Sequence, residues 1–151
     1  MTPITATNDF VIKFANVNGS GSASANEMFA KSILRMGVPV SPRNIFPSNI
    51  QGLPTWYEVR VNEQGWLGRR GGVDLMVAMN PQTWDADLKE IETGGYLFYD
   101  NSKPLPKSRF RAAQIAIGFH PHATNRFPAS LIHTGFDSCE KIGVILTQIV
   151  V

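Results

Sequence analysis

The sequence predicts a three-layer α/β/α fold of Rossmann-like type, with a mostly parallel sheet and a mixed sheet as the alternative. Residues 10–17 form a short apolar run that ends at a glycine patch and leads into an amphipathic segment. Residues 73–80, "VDLMVAMN", lead through a helical pattern at 81–92 into a second apolar run, "YLFYD" at 96–100. Continuous apolar runs are typical of strands covered on both faces, and strand, helix, strand is the parallel-sheet unit.

The first predicted helix follows the glycine patch directly. Ser24 is expected as its N-cap, and Glu27 three residues later completes a capping box. Gly37 lies where a left-handed C-terminal cap is expected. The apolar side chains recur every three or four residues, which predicts one buried stripe made of Ala25, Met28, Phe29, Ser32, Ile33 and Met36.

The next segment, residues 38–54, holds four prolines and shows no sustained period. It predicts a short strand at 38–40 followed by a long ordered loop. Residues 55–61 then alternate, with Tyr57, Val59 and Val61 on one face. The following "NEQG" predicts a turn, and Trp66 with Leu67 would complete a hairpin.

The second predicted helix begins at an Asn-Pro pair, with Asn80 as N-cap and Pro81 in the first turn. Trp84, Leu88 and Ile91 are expected on its inner face, and a glycine pair at 94–95 should end it. From residue 103 onward prolines and bases accumulate. Two apolar runs there, "AQIAIGF" and "KIGVILTQIVV", predict strands without a helix between them.

The composition excludes several classes of function. Residues 1–102 hold eight Lys/Arg and ten Asp/Glu, and this net charge of −2 without a basic stripe argues against a nucleic-acid partner. A single cysteine, Cys139, excludes a disulfide framework and fits a reducing, cytoplasmic setting. The sequence shows no export leader and no apolar run of about 18 residues, so we expect no membrane association.

The glycine patch "NVNGSGSASAN" at 16–26 lies between a strand and a helix N-terminus, where unpaired N–H groups favour an anion. It lacks the third glycine and the later acidic residue of a dinucleotide fingerprint, and no Gly-Lys-Ser/Thr follows it. A structural turn is the favoured interpretation. The alternative is an anion site formed by Gly19, Ser20, Gly21, Ser22 and Ser24.

Three longer stretches carry a family resemblance: residues 16–61, "GRRGGVDLMVAMNPQTW" at 68–84 and "GGYLFYDNSKPLP" at 94–106. Together they resemble the 2-oxoacid:ferredoxin oxidoreductases, in particular the γ-type domain that opens the α subunit of 2-oxoglutarate-type members. The resemblance covers residues 8–117. It implies an enzyme that oxidatively decarboxylates a 2-oxoacid, here 2-oxoglutarate, with coenzyme A, yielding acyl-CoA and CO2 while ferredoxin is reduced.

The resemblance also implies a division of labour within a complex. Thiamine diphosphate, Mg and Fe–S clusters are expected in the rest of the complex, and coenzyme A as co-substrate. This chain has no Gly-Asp-Gly segment with a following Asn and no clustered cysteines, so we expect it to bind none of these cofactors and to be inactive alone. Its expected partners are the remaining α portion, the β subunit and, for the complex, ferredoxin.

The role that the resemblance implies for this domain is assembly and enclosure of the coenzyme A side. The glycine patch is then the candidate contact for a coenzyme A phosphate. Two guanidinium groups, Arg69 and Arg70, suit a carboxylate, a phosphate or an acidic partner surface, and a solvated basic loop is the alternative. Trp56 and Trp66 are expected at an interface, where large aromatic side chains are enriched.

Residues 118–151 depart from the family pattern. We expect a divergent tail, produced by a reading-frame change, a recombined end or an incomplete gene. Its His120, His122, His133 and Cys139 match no compact metal motif, so neither a metal site nor a nucleophile is expected. The alternative function for the whole chain is a free-standing nucleotide or coenzyme A binding module without catalysis.

Overall fold

The computed structural model describes residues 8–17, 19–46, 53–100 and 105, and the backbone of 115–119. Six strands and two helices lie in these ranges. In chain order they are β1 (Asp9–Val17), α1 (Ser22–Arg35), β2 (Val40–Ile45), β3 (Pro54–Asn62), β4 (Val73–Ala78), α2 (Trp84–Glu90), β5 (Ile91–Asp100) and β6 (Ile115–Phe119).

The described strands form one mixed sheet in the order β2-β3-β1-β4-β5-β6. Strand β1 lies near the centre, parallel to β4 and antiparallel to β3. The pairings from β4 through β5 to β6 are also parallel, and β2 is antiparallel to β3. The α/β class is therefore confirmed, and the sheet is the mixed variant.

Each face of the sheet carries one apolar cluster and one described helix. Phe10 and Ile12 of β1 pack with Ile33 of α1 on one face, whereas Val11 packs with Leu88 of α2 on the other. Because successive side chains of a strand point to opposite faces, the unbroken apolar run of β1 supplies both clusters. This arrangement confirms the three layers.

The start of α1 differs from the prediction. The helix begins at Ser22 after Gly21, which is left-handed with φ of 75°, and the N-cap makes no side-chain hydrogen bond. Ser24 therefore lies inside the first turn, and the predicted capping box is wrong. Glu27 pairs instead with Lys31 one turn later, at 2.7 Å.

The predicted C-terminal cap of α1 is confirmed. Gly37 has φ of 87°, and its N–H donates to the carbonyl oxygen of Leu34 at 3.0 Å. This left-handed conformation suits glycine because it has no Cβ.

The buried stripe of α1 is only partly as predicted. Phe29 and Ile33 face the sheet, and Phe29 packs edge-to-face on Phe14 with ring centroids 5.7 Å apart. The centre of the stripe is Ala30, whose small side chain permits close approach to the strands. The residues predicted to be buried but found exposed are Ala25, Met28, Ser32 and Met36, with Met28 69% exposed.

The proline-rich segment contains a longer strand than predicted. Residues 40–45 form β2, which pairs along its length with β3. The strand predicted at 38–40 therefore begins later, and the expected loop is wrong at 41–45. Pro42 is tolerated because β2 is an edge strand, where one N–H can be lost without breaking an inner ladder. Residues 47–52 lie outside the described ranges.

The predicted hairpin after β3 is also wrong. The turn is present, since the Gly65 N–H donates to the Asn62 carbonyl oxygen at 3.0 Å. Trp66 and Leu67, however, are not in a strand, and β3 pairs with β1 and β2. The alternation within β3 is confirmed, because Tyr57, Val59 and Val61 are all buried in the α1-side cluster.

Helix α2 is shorter than predicted. Asn80 caps a preceding turn, in which its Oδ1 accepts the Gln82 N–H at 3.1 Å, and Thr83 takes the N-cap position. The inner face is confirmed for Trp84 and Leu88, which are buried on α2, whereas Ile91 is buried as the first residue of β5.

The end of α2 also differs from the prediction. The helix stops at Glu90, and β5 begins at Ile91, before the glycine pair at 94–95. The pairing of β5 with β4 shifts register between Val73 and Leu75, and Gly94 is left-handed with φ of 83°. An irregular start of β5 thus occupies residues that the pattern assigned to the helix.

The predicted strand in "AQIAIGF" is confirmed by β6, which runs parallel to β5 from 115 to 119. The second predicted run, "KIGVILTQIVV", lies outside the described residues, as do His120, His122, His133 and Cys139. The division of the chain at residue 117 stays a prediction.

Candidate functional site

A cleft of about 220 Å³ opens at the edge of the sheet where β1 ends. Because β3 runs antiparallel to β1, the start of β3 lies beside the end of β1, and Val17 pairs with Pro54. The glycine patch and the start of α1 close one side, and the end of β2 closes the other. The lining residues are Asn16, Val17, Gly19, Gly21, Ser22, Ala23, Asn26, Asn44, Phe46, Thr55, Trp56 and Tyr57.

The glycine patch adopts a conformation that requires its glycines. Gly19 and Gly21 are both left-handed, with φ of 85° and 75°, and both line the cleft. Ser22 lines it as well, and its hydroxyl accepts a hydrogen bond from the Ser20 hydroxyl at 2.9 Å. Ser20 and Ser24 are exposed and lie outside the lining, so only part of the predicted anion site borders the cleft.

The N-terminus of α1 is suited to negative charge. Its first N–H groups have no acceptor within the helix, and the helix dipole places partial positive charge there. The first turn contains no acidic residue, and the N-cap, Gly21, supplies no side chain. Within the described part of the chain no side chain caps these N–H groups, so they can face solvent or a ligand.

Asn26 is the residue of the cleft that the sequence prediction missed. It lies one turn after Ser22 on the same helix face, is 7% exposed, and lines the cleft. Its Nδ2 is buried and has no hydrogen-bond partner among the described residues. The sequence does show a polar residue near the start of α1, on the side that faces the sheet. Asn26 was not predicted because the buried stripe of α1 was assigned to the side chains next to it.

The remaining lining of the cleft is neutral. Among the described residues that border it, none carries a charged side chain. Burial raises the pKa of the Tyr57 phenol above its ordinary value; the charge of Glu27 acts in the same direction and that of Lys31 against it. Tyr57 therefore stays protonated near neutral pH, as a neutral hydrogen-bond donor.

Trp56 connects the cleft to a buried polar network beneath α2. Its Nε1 donates to Asp87 Oδ1 at 2.8 Å, and the Thr83 hydroxyl donates to Asp87 Oδ2 at 2.6 Å. The Lys13 ammonium lies 5.7 Å from the Trp56 ring centroid and pairs with Glu90 at 2.5 Å. Hydrogen bonding on one edge and a cation over the ring hold the indole in one orientation.

Asp87 is the most buried member of this network, with no exposed surface. Burial raises the pKa of its carboxyl above the usual range. The hydrogen bonds from Thr83 and Trp56 and the charge of Lys13 oppose this rise, and the charge of Glu90 adds to it. Trp56 is half-buried, with its indole N–H directed inward, and the predicted interface role of this residue stays a prediction.

The other predicted interface residues lie at the opposite edge of the sheet. Trp66, Arg69 and Arg70 follow β3, whose end lies beside the start of β1. A nine-residue strand spans roughly 26 Å at ~3.3 Å per residue. The structure therefore separates these three residues from the glycine patch and from Trp56.

Their surroundings at that edge differ. Trp66 is 71% exposed, and Arg69 is exposed as well. Arg70 forms an ion pair with the buried Asp74, whose Oδ2 also accepts the Val11 N–H at 2.7 Å. Arg70 is thus tied to the fold, and Trp66 and Arg69 form the accessible part of this loop.

The described residues include neither a metal-binding cluster nor a membrane-spanning helix. No group of three or more His, Cys, Asp or Glu side chains in this part of the chain could hold a metal ion. Within the same part, neither helix is long and apolar enough to cross a membrane.

Comparison with known proteins shows where similar chains occur. A family model described as pyruvate ferredoxin/flavodoxin oxidoreductase matches residues 11–139. The α subunit of 2-oxoacid:ferredoxin oxidoreductase 2 from Aeropyrum pernix is 26% identical over 92 residues, which are 61% of this chain and 14% of that protein. The family match extends past residue 118, the predicted start of the tail.

Solved structures share the fold. The 2-oxoglutarate:ferredoxin oxidoreductase from Magnetococcus marinus, with 2-oxoglutarate, coenzyme A and succinyl-CoA bound, is similar with a TM-score of 0.65 at 24% identity. The similarity covers 74% of this chain and 20% of that one. The γ subunit of a keto/oxoacid ferredoxin oxidoreductase from Geobacter sulfurreducens is similar with a TM-score of 0.59 at 17% identity. This similarity covers 93% of this chain and 86% of that one. The chain thus spans a small share of the first two relatives and most of the third.

Proposed function

Because the chain belongs to the pyruvate ferredoxin/flavodoxin oxidoreductase family, we propose that it works as the γ-type domain of a 2-oxoacid:ferredoxin oxidoreductase complex. The complex would oxidatively decarboxylate a 2-oxoacid with coenzyme A, release CO2 and pass electrons to ferredoxin. The observation that carries the proposal is the family match over residues 11–139, on a fold shared with a γ subunit of the same kind of enzyme.

We propose 2-oxoglutarate as the 2-oxoacid. The support is the resemblance to 2-oxoglutarate-type α subunits and the likeness of fold to an enzyme that was solved with 2-oxoglutarate and coenzyme A bound. Substrate choice would lie in other parts of the complex, because the cleft has no cationic side chain among its described lining residues to pair with a second carboxylate.

The proposed task of this domain is to help assemble the complex and to enclose the coenzyme A side. The cleft beside the glycine patch supports the second task, since it offers free backbone donors at a helix N-terminus. The exposed Trp66 and Arg69 support the first, because aromatic and arginine side chains are enriched at subunit interfaces.

The family implies thiamine diphosphate, Mg and Fe–S clusters, and the described residues do not fit them. This part of the chain presents no group of His, Cys, Asp or Glu that could hold a metal. We propose that the partner portions of the complex hold those groups. The activity proposed for this chain is therefore that of a non-catalytic part of the enzyme.

The proposal is tested by isolating the chain from its own cells with a terminal affinity tag. We expect the remaining α portion and the β subunit to copurify. The preparation should reduce a viologen dye with 2-oxoglutarate only when coenzyme A is present, and pyruvate should be the poorer substrate. A tagged chain that copurifies with no thiamine enzyme would contradict the proposal, whereas activity with pyruvate alone would contradict only the choice of 2-oxoacid.

One observation favours a second function, a free-standing coenzyme A or nucleotide binding module. The cleft brings the left-handed Gly19 and Gly21 together with the start of α1, where backbone N–H groups favour an anion. In that case the purified chain should be monomeric, and coenzyme A alone should raise its Tm by mass action. A Tm that coenzyme A leaves unchanged would remove this alternative.

A further inference from the structure

We infer that Asp87 and Thr83 form a proton-controlled switch that sets how firmly Trp56 is held at the wall of the cleft. The two states of the switch differ by one proton on the Asp87 carboxyl. Its parts come from separate elements, because Trp56 lies on β3, Thr83 is the N-cap of α2 and Asp87 lies within α2. The switch is a property of this chain alone and does not rest on the proposed function.

The first argument is that the Thr83 hydroxyl has two acceptors and one proton. Its oxygen lies 2.6 Å from Asp87 Oδ2 and 3.1 Å from the carbonyl oxygen of Asn80. A hydroxyl donates one hydrogen bond, and a carbonyl oxygen can only accept. Both contacts are therefore hydrogen bonds at the same time only if the Asp87 carboxyl carries a proton and donates it to Thr83.

The two states follow from this count of protons. In the protonated state, Asp87 donates to the Thr83 oxygen, and Thr83 donates to the Asn80 carbonyl. In the ionised state, the proton has passed to water, and the Thr83 hydroxyl turns to donate to Asp87 Oδ2. The Asn80 carbonyl then loses the hydroxyl and keeps its bond from the Thr83 backbone N–H, at 3.2 Å.

The second argument is the bond between Asp87 and Trp56. The indole N–H can only donate, and its acceptor is Asp87 Oδ1 at 2.8 Å. A hydrogen bond to an ionised acceptor is roughly twice as strong as one between neutral groups. Trp56 also lines the cleft. Loss of the proton therefore strengthens the bond that holds a side chain of the cleft wall.

The third argument is the surroundings of the carboxyl. Asp87 has no exposed surface, and burial raises the pKa of its carboxyl above the usual range. Lys13 of β1 favours the ionised form, and Glu90 of α2 favours the protonated form. These two groups also form an ion pair at 2.5 Å. Burial is the largest influence, so the protonated state extends to a higher pH than in an exposed aspartate.

The experiment is a pH titration of the whole 151-residue chain by heteronuclear NMR, from about pH 3 to pH 9. The side-chain carboxyl carbon of Asp87 reports its protonation, and we expect its midpoint above the ordinary value of about 3.9. The Trp56 indole N–H should move downfield as the pH rises through the same midpoint, because its acceptor becomes charged. The Asn80 carbonyl carbon should share that midpoint, since it loses the Thr83 hydroxyl.

Trp84 is the internal control within the same spectra. Its indole N–H donates to the carbonyl oxygen of Ala78 at 3.1 Å, an acceptor that does not titrate. The Trp84 resonance should therefore not follow the Asp87 midpoint. Asp87→Asn should abolish the Trp56 shift. Asp85→Asn makes the same change of charge at an exposed position of α2, and it should leave the Trp56 shift intact.

Two substitutions test the hydroxyl of Thr83. Thr83→Ser keeps the hydroxyl, so the responses of Trp56 and Asn80 should both remain. Thr83→Val keeps the shape and removes the hydroxyl, so the Asn80 response should disappear. The Asp87 midpoint should rise in this variant, because the carboxylate loses a donor. The Trp56 response should persist, since its acceptor still titrates.

Three results would overturn the inference. One is an Asp87 midpoint at or below about 3.9. Another is a Trp56 or Asn80 resonance that does not follow the Asp87 midpoint. The third is a Trp56 shift that Asp85→Asn abolishes as fully as Asp87→Asn. The wild-type titration decides the question even if a variant fails to fold, and its result is independent of whether the chain joins an oxidoreductase.

Discussion

At the scale of single residues, the glycine patch shows that a motif can predict a backbone turn without predicting which side chains line the cleft beside it. The sequence could show that Gly19 and Gly21 occupy a strand-to-helix turn, because glycine is the residue that tolerates positive φ. It could not show that Asn26 would point into the same cleft. That required the rotation of α1 about its own axis, which is set by packing on the sheet.

We predict that Gly21→Ala destabilises the chain by about 1–2 kcal/mol, because an alanine at φ of 75° is strained even though a Cβ there meets no atom within 4 Å. Gly71→Ala is the matched control, because the Gly71 backbone is not left-handed and a Cβ at this position also meets no atom within 4 Å. Urea unfolding followed by circular dichroism measures both variants. Equal effects would contradict a conformational cause.

The Asp87 carboxyl predicts a pH dependence of opposite sign to that of a salt-bridged acid. Because its pKa is raised by burial, the folded state binds the proton more tightly than the unfolded state. Stability is therefore greatest below the unfolded pKa of about 3.9, and it falls as the pH rises through the folded pKa. The charges of Lys13 and Glu90 also act on this carboxyl, in opposite directions.

The check is the difference in unfolding free energy between wild type and Asp87→Asn, measured in urea at a series of pH values. We expect wild type to lose stability relative to the variant as the pH rises from about 4. Thr83→Val removes a hydrogen bond that lowers the pKa of Asp87. The pKa of Asp87 should therefore rise further in this variant, and the loss of stability should extend to higher pH. A difference that does not vary with pH would contradict the burial argument.

At the scale of elements, strands were predicted better than helix ends and faces. Continuous apolar runs located β1 and β4, because burial on both faces leaves an unambiguous pattern. Strand β2 was missed because its edge position allows a proline and exposed polar residues, which resemble a loop. On α1 the predicted and the observed buried stripes share some side chains. Only packing against the sheet determines that the stripe containing Ala30 is the buried one.

The choice between those two arcs is directly measurable. Ile33→Ala should cost about 2–4 kcal/mol of unfolding free energy, because Ile33 is buried in the α1-side cluster. Met28→Ala should change it by less than about 0.5 kcal/mol, since this side chain is mostly exposed. Similar losses for both variants would mean that the predicted stripe, and not the observed one, faces the sheet.

At the scale of the whole molecule, the candidate site residues divide between two edges of one sheet. An interface or ligand-enclosing role was predicted for Trp56 and Trp66 as large aromatic side chains, and for the arginine pair from its charge. The antiparallel course of β3 instead carries Trp66 and Arg69 to the edge opposite the cleft. We therefore propose that one edge serves a ligand and the other a neighbouring subunit.

This division predicts which backbone becomes protected on assembly. Amide hydrogen exchange of the isolated chain and of the complex should differ most at residues 63–72, around the exposed Trp66 and Arg69. The α1 amides at the cleft should gain protection only when coenzyme A is added. Protection of the α1 start on assembly alone would show that a subunit, and not a ligand, covers the cleft.

The central claim is that the cleft edge of this domain faces coenzyme A in the assembled enzyme. The direct measurement is the KM for coenzyme A of a complex carrying Ser22→Asp, which places a negative charge in the cleft at the start of α1. The account predicts a KM raised about tenfold, with kcat and the KM for 2-oxoglutarate unchanged and with no effect in the Ser32→Asp complex. An unchanged KM for coenzyme A in a fully assembled Ser22→Asp enzyme would contradict it.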